Sequence, residues 1–131
     1  VLAASDLSHA SVAGLRRAGW LGGRLDAETK IVHALNAAYL SPRGDDEARA
    51  DARKRLEALA SEAEIEADID IVVGEHVVTA LCDHADDVDA GVIVATRQGS
   101  DGLDRLLIGS VGERLVRHAG RPVLVTPPQS R

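Results

Sequence analysis

The strongest constraint on the fold of this chain is the regular alternation of short apolar runs with longer segments of helical periodicity. The apolar runs are typical of five strands, at residues 1–4, 31–35, 65–73, 91–95 and 123–125. Between them, apolar side chains fall on one face of a helix from residue 8 or 11 to 25, and at 45–63, 77–85 and 110–118. Strict alternation implies right-handed crossovers and a parallel sheet covered on both faces. The pattern therefore predicts an α/β fold with a five-stranded parallel sheet and four helices, the first capped by Ser8 or Ser11.

Length and composition limit the size and the content of the core. At 131 residues the chain is long enough for one ordinary core and too short for two, so a single domain spanning residues 1–131 is expected. There is no Phe, no Met, one Trp and one Tyr, so Val, Leu, Ile and Ala must build the core. Such small side chains suit helices packed closely on a parallel sheet.

Charge and cysteine content exclude several classes of protein. The formal net charge of −6 argues against a nucleic-acid partner, because binding a phosphate backbone needs basic surface. The apolar runs fall far short of the roughly 20 residues that span a bilayer, so no membrane contact is expected. A lone cysteine, Cys82, cannot form a disulfide within the chain, which favours the cytoplasm. Cys82, His84, Asp86 and Asp87 lack the spacing of a zinc site, so no metal site is assigned.

A glycine-bearing loop follows the fourth apolar run. Nine residues separate Gly99 from Gly109, and a helical pattern begins at Ser110. Free backbone N–H groups at such a helix start face the end of the strand, where a phosphate would sit. A plain tight turn is the alternative. Ser110 and Glu113 also have the spacing of a capping box, in which each side chain accepts from the other's backbone N–H, and this role can coexist with binding.

The loop resembles the signature of the universal stress protein family, whose nucleotide-binding members carry G-x2-G-x9-G-[ST] after the fourth strand. Gly99 and Gly109 match the second and third glycines and Ser110 matches the hydroxyl position, whereas Thr96 stands in place of the first glycine. The resemblance covers essentially the whole chain and implies an adenine-nucleotide α-hydrolase-like fold with strand order 3-2-1-4-5. Ligands of open α/β sheets collect where the strand order reverses, here between the first and fourth strands.

The resemblance also implies an adenine nucleotide as ligand, ATP above all, with or without Mg²⁺. Asp6 would lie near the adenosine, although it can equally cap the first helix, and His33 is expected to be a hydrogen-bonded core residue rather than a catalyst. No Lys follows Gly109 as in the P-loop hydrolases, so ATP hydrolysis is expected to be slow at most, and no catalytic residue is assigned. The implied nucleotide-binding residues are Ala4, Ser5, Asp6, Ala34, Thr96, Arg97, Gly99, Gly109, Ser110, Val111 and Gly112.

Two functions fit this sequence. One is a regulatory, stress-response module that binds the nucleotide between the first and fourth strands. The other is an interaction module of the same fold that binds no nucleotide, because the bulk of Thr96 closes the pocket. The resemblance further implies a homodimer through the last strand, where Val123, Leu124 and Val125 form a short apolar edge of the kind that proteins normally cover or pair. Prolines flank this edge and can instead protect a monomer.

Overall fold

Five parallel strands form one sheet in the computed structural model, which describes residues 1–40, 45–97 and 110–128. The strands are β1 (Leu2–Ala4), β2 (Lys30–Asn36), β3 (Asp68–Gly74), β4 (Ile93–Thr96) and β5 (Val123–Thr126). Their order is β3-β2-β1-β4-β5, and every neighbouring pair runs parallel. The predicted order is confirmed, with β1 at the centre and β3 and β5 at the edges.

Four α-helices in these residues cover the two faces of the sheet. They are α1 (Val12–Leu25), α2 (Asp45–Glu62), α3 (Val77–Asp87) and α4 (Ser110–His118). α1 and α2 pack on one face, and α3 and α4 pack on the other. Within the described ranges, no helix is long and apolar enough to cross a membrane.

The core consists of two aliphatic layers, one on each face of the sheet. Ile31 and Val32 are neighbours in β2 but belong to different layers, because successive side chains of a strand point to opposite faces. The aliphatic core expected from the composition is therefore confirmed. The layer beneath α1 and α2 includes Val12, Leu15, Ile31, Leu56 and Val94, and the layer beneath α3 and α4 includes Leu2, Val32, Leu81, Ile93 and Leu115.

The start of α1 differs from the sequence-based expectation. Neither Ser8 nor Ser11 caps the helix with its side chain. A turn of 3-10 helix at His9–Ser11 leads into α1, so Ser11 already has helical backbone angles, which a capping residue does not. Its hydroxyl donates to the Ser8 carbonyl at 2.8 Å and lies 2.7 Å from the Ser5 hydroxyl. Ser11 thus joins the helix start to the end of β1.

At the β3 edge of the sheet, α2 supplies hydrogen-bond donors to the backbone. Arg49 donates to the carbonyl of Ile71 at 3.0 Å, and Arg53 donates to the carbonyl of Ile69 at 2.8 Å. Unpaired edge groups are a template for pairing with another chain. The two arginines therefore cover part of this edge.

At the β5 edge, no described residue covers the outward backbone in this way. The carbonyl of Pro122 accepts from Ile93 and that of Thr126 accepts from Arg97, so the parallel ladder leaves the N–H and C=O groups of Val123 and Val125 pointing outward. No residue in the described part of the chain bonds to these outward groups. The two edges of the sheet are therefore unequal.

Candidate functional site

The carboxyl ends of β1 and β4 meet at the point where the strand order reverses. β1 pairs directly with β4. After β1 the chain passes to α1 on one face, and after β4 the next helix, α4, lies on the other. A crevice therefore opens between the two strand ends, with Ser5 and Asp6 on one side and Thr96 and Arg97 on the other.

Ser5 fixes the exit of the chain from β1. Its side chain is buried, and its hydroxyl accepts from the Leu7 N–H at 3.1 Å. Its carbonyl lies 2.7 Å from Nδ1 of His33, and because a carbonyl can only accept, Nδ1 holds the proton. His33 is thus a hydrogen-bonded residue, as expected. Leu7 takes a left-handed φ of 70°, which turns the chain sharply after Asp6.

Asp6 is exposed at the mouth of the crevice and forms a local turn. Its Oδ1 atom accepts from the Ser8 N–H at 2.9 Å and from the Ser8 hydroxyl. This is an Asx turn in the connection that precedes α1. The alternative expectation that Asp6 caps the first helix is therefore wrong, because its bonds end at Ser8, before the helix begins.

Thr96 directs its side chain toward α1. A Cβ atom built on Gly14 would clash with the Thr96 Oγ1 atom, so only a glycine of α1 leaves room for this hydroxyl. The Thr126 hydroxyl donates to the same oxygen at 3.4 Å, and the Arg97 N–H donates to the Thr126 carbonyl at 2.7 Å. The bulk that replaces the first glycine of the family signature is thus accommodated by the missing side chain at Gly14.

Ala4 and Ala34 lie on the opposite side of the sheet from the Thr96 side chain. Both pack in the layer beneath α3 and α4, near the ends of β1 and β2. Ala34 is buried and Ala4 is half-buried. The residues implied for a base pocket therefore share one face, and the Thr96 side chain lies on the other.

An open groove of about 740 Å³ runs between α3 and α4 on the face that Ala4 and Ala34 share. We call it the α3–α4 groove. Val111 lies in it, as do three basic side chains, those of His76, Arg114 and His118, and one acidic side chain, that of Glu75. None of the three basic side chains forms an ion pair with a described residue. The full lining is Asn36, Glu75, His76, Val77, Val78, Thr79, Cys82, Val111, Arg114 and His118.

Sequence reasoning missed Arg114 and His118 as site residues. Both share one side of α4 with Val111, since they follow it by three and seven residues. That spacing was the only signal in the sequence. The side of a helix that lines a groove is decided by its neighbour, here α3, and the alternation of elements does not specify it.

The Cys82 thiol at the groove is held in its neutral form. Burial raises the pKa of this thiol, and the charges of Asp86 and then Asp83 raise it further. His84, from the same stretch of sequence, points instead to β3, where its Nε2 atom lies 2.9 Å from Asp70. Residues 1–40, 45–97 and 110–128 contain no group of three His, Cys, Asp or Glu side chains placed to hold a metal ion.

Part of the implied phosphate site lies outside the described residues. This applies to Gly99, Gly109 and the side chain of Ser110. Gly112 is buried in the first turn of α4. Glu113, the partner expected for Ser110, has its carboxylate 2.8 Å from Arg117 one turn later. The capping box therefore stays a prediction.

These features define a class of protein: a parallel α/β domain with strand order 3-2-1-4-5 and a polar crevice at its switch point. The model of the Universal stress protein family matches residues 1–127, and the chain belongs to that family. No curated protein sequence matches it.

Solved structures agree with this assignment. A universal stress protein in complex with cAMP is 26% identical, with 98% of this chain and 95% of the other covered and a TM-score of 0.66. A universal stress protein from Archaeoglobus fulgidus is 24% identical, with coverage of 98% and 96% and a TM-score of 0.77. Another from Archaeoglobus fulgidus, in complex with dAMP, is 21% identical, with coverage of 98% and 95% and a TM-score of 0.71.

Proposed function

We propose that this protein binds an adenine nucleotide at the crevice between β1 and β4 and acts as a regulatory module of the stress response. The observation that carries the proposal is the family membership together with the 26% identical relative. That relative was solved in complex with cAMP, and its similarity to this protein extends over nearly the full length of both chains. The proposal extends to ATP as the physiological ligand, with Mg²⁺ held by its phosphates. It also sets the domain in the cytoplasm, in keeping with its lone cysteine.

The chain offers separate groups for the adenosine, the base and the phosphates of a nucleotide. Asp6 is exposed beside the crevice and is assigned to the adenosine. Ala4 and Ala34 offer small apolar surface on the side of α3 and α4 and are assigned to the base. Val111 and Gly112 lie in the first turn of α4, where free N–H groups suit the phosphates. Arg97 and Arg114 are assigned as cations for the same phosphates, since neither the loop nor the first turn of α4 contains a lysine.

Calorimetric titration tests the proposal. The protein at high micromolar concentration is titrated with ATP and Mg²⁺, with cAMP and with adenosine, and GTP serves as the control for base recognition. We expect saturable heat with the adenine compounds and a weaker response to GTP. No heat with any adenine compound would overturn the proposed function.

The second candidate function is a dimeric interaction module, which the uncovered β5 edge specifically favours. The proposed dimer pairs β5 with its symmetry mate through the outward groups of Val123 and Val125, with Leu124 beside them. If this module binds no nucleotide because Thr96 blocks the pocket, the wild type gives no heat in the titration and the Thr96→Gly variant binds nucleotide. Since Thr96 faces Gly14, we expect instead that the wild type binds and that Thr96→Gly changes its affinity by less than about twofold.

A further inference from the structure

A second, separate groove lies between α1 and the β5 edge. It has a volume of about 520 Å³ and is called here the Trp20 groove. Trp20, the only tryptophan of the chain, is 54% exposed, and Leu124 on the strand side is 37% exposed. Large apolar side chains exposed together mark a surface that another molecule covers. On the helix side the lining extends from Ala13 to Trp20 and includes Arg17, and on the strand side it consists of residues 124–128.

The charge of the Trp20 groove is opposite to that of the whole protein. Arg17 is the only charged side chain among the described residues that line the groove, and Arg24 stacks on Trp20 next to it, whereas the chain has a net charge of −6. The guanidinium carbons of Arg17 and Arg24 lie 5.0 and 5.6 Å from the centre of the Trp20 ring. Neither arginine pairs with a carboxylate in the described part of the chain. Stacking occupies the faces of the guanidinium groups and leaves their N–H edges to bind carboxylates.

The dimensions of the groove set the size of its occupant. On the helix side it spans Ala13 to Trp20, which is about 10 Å at the rise of an α-helix. On the strand side it spans residues 124–128, which is about 13 Å at the rise of a strand. A segment of about four residues in extended form fills this length.

We propose that the Trp20 groove binds a short acidic segment of a different protein, in extended form. An apolar side chain of the segment packs between Trp20 and Leu124, and its carboxylates pair with Arg17 and Arg24. The recognition depends on Arg and Trp, the residue types that dominate binding energy at small interfaces. The proposal does not require nucleotide binding, although Thr126 of this groove contacts Thr96 and Arg97 beside the β1–β4 crevice.

Charge disfavours a second copy of the chain as the occupant. A two-fold contact of this groove with itself would bring Arg17 and Arg24 of both copies together, without an acidic residue of α1 to balance them. A contact with an acidic surface elsewhere on a second copy would be head-to-tail, which generates open chains of molecules unless a ring closes. The outward backbone of Val123 and Val125 points along the plane of the sheet, so a dimer through β5 would meet the groove at its strand side, where Leu124 lies, and not at α1.

Trp20 itself reports on the binding, because its fluorescence is the only tryptophan signal of the protein. The probe is the blocked peptide Asp-Glu-Leu-Glu-Asp, and the control is Asn-Gln-Leu-Gln-Asn, which has the same shape without charge. We expect the acidic peptide to shift the Trp20 emission saturably with a Kd below about 1 mM, and the control peptide to bind at least about fivefold more weakly. The affinity for the acidic peptide is expected to fall with added salt.

Matched variants assign the effect to the groove. Arg17→Gln is expected to weaken acidic-peptide binding about fivefold, whereas Arg55→Gln, the same charge change on the exposed side of α2, changes it by less than about twofold. Leu124→Ser is expected to weaken the binding of both peptides. Binding to Trp20→Ala is measured by calorimetry, because this variant has no tryptophan fluorescence. Three results would each overturn the proposal: no response to the acidic peptide, equal affinity for both peptides, or self-association that Trp20→Ala abolishes while no peptide binds.

Discussion

Gly14 and Thr96 form a pair of complementary size between α1 and the end of β4. The Thr96 hydroxyl occupies the space in which a side chain at position 14 would begin, and it accepts from Thr126. A β-branched residue in a strand rotates with difficulty, so the hydroxyl has little freedom to move away. The conformation of Thr96 therefore depends on a helix that is remote from it in the sequence.

Gly14→Ala is expected to destabilise the protein by about 1–3 kcal/mol, because its Cβ overpacks the Thr96 hydroxyl. Urea unfolding monitored by circular dichroism measures the change. Gly23→Ala, in the same helix, is the control: a Cβ there meets nothing within 4 Å, so helix propensity alone should stabilise by about 0.5–1 kcal/mol. In a Thr96→Ala background, Gly14→Ala should lower the free energy of unfolding by less. An unchanged loss of free energy would show that the two residues are not coupled.

Arg114 is the residue on α4 that we expect to respond to nucleotide charge. Helical side chains lean toward the N-terminus, which brings this guanidinium toward the first turn of α4, where the phosphates are assigned. Arg114→Gln should weaken ATP binding about five- to tenfold and adenosine binding by less than twofold. Arg117→Gln removes the same charge from the same helix, but Arg117 is engaged with Glu113. If both variants weaken ATP binding equally in calorimetry, Arg114 has no specific role.

At the scale of elements, α2 protects one edge of the sheet. Arg49 and Arg53 hydrogen-bond to β3 carbonyls across a helix–strand contact, and the acidic first turn of α2 adds the Asp45 carboxylate 3.5 Å from Arg49. A helix that only packed on the sheet would leave this edge open. The hydrogen bonds make α2 both a core element and a cover for the edge.

The double variant Arg49→Met and Arg53→Met tests this role of α2. It is expected to lower the free energy of unfolding by about 1–3 kcal/mol, since each hydrogen bond contributes about 0.5–1.5 kcal/mol. It should also increase light scattering on gentle heating, because the β3 edge becomes free to pair. Arg55→Met, on the exposed side of the same helix, controls for the loss of charge. Equal stability of the double variant and this control would contradict the role.

At the scale of the whole molecule, the unequal edges of the sheet decide how copies of it could associate. The β3 edge is covered in part by α2, whereas the outward groups of Val123 and Val125 are bonded to nothing in the described residues. A two-fold contact through β5 would extend the sheet across both subunits. The proposed dimer is thus supported by the contrast between the two edges.

Val125→Pro is the sharpest test of that dimer. The substitution removes an outward N–H group and leaves the bonds of β5 to β4 in place, so the variant should fold and be monomeric. Light scattering measures the mass, and circular dichroism checks the fold. Leu124→Lys, which adds charge beside the same edge, should have the same effect. A monomeric wild type, or a folded variant that remains dimeric, would show that β5 is not the interface.

The sequence by itself determined the class of fold, the strand order through its family resemblance, and the start of α4 at Ser110. Periodicity and turn residues are local properties, and they suffice for the class of fold and for α4, whereas the strand order followed only from the family resemblance. It did not specify that Thr96 faces Gly14, that α2 covers the β3 edge, or that Arg114 lines the α3–α4 groove. Only the tertiary structure decided these, because each depends on which helix crosses which strand and on the side chain it presents there.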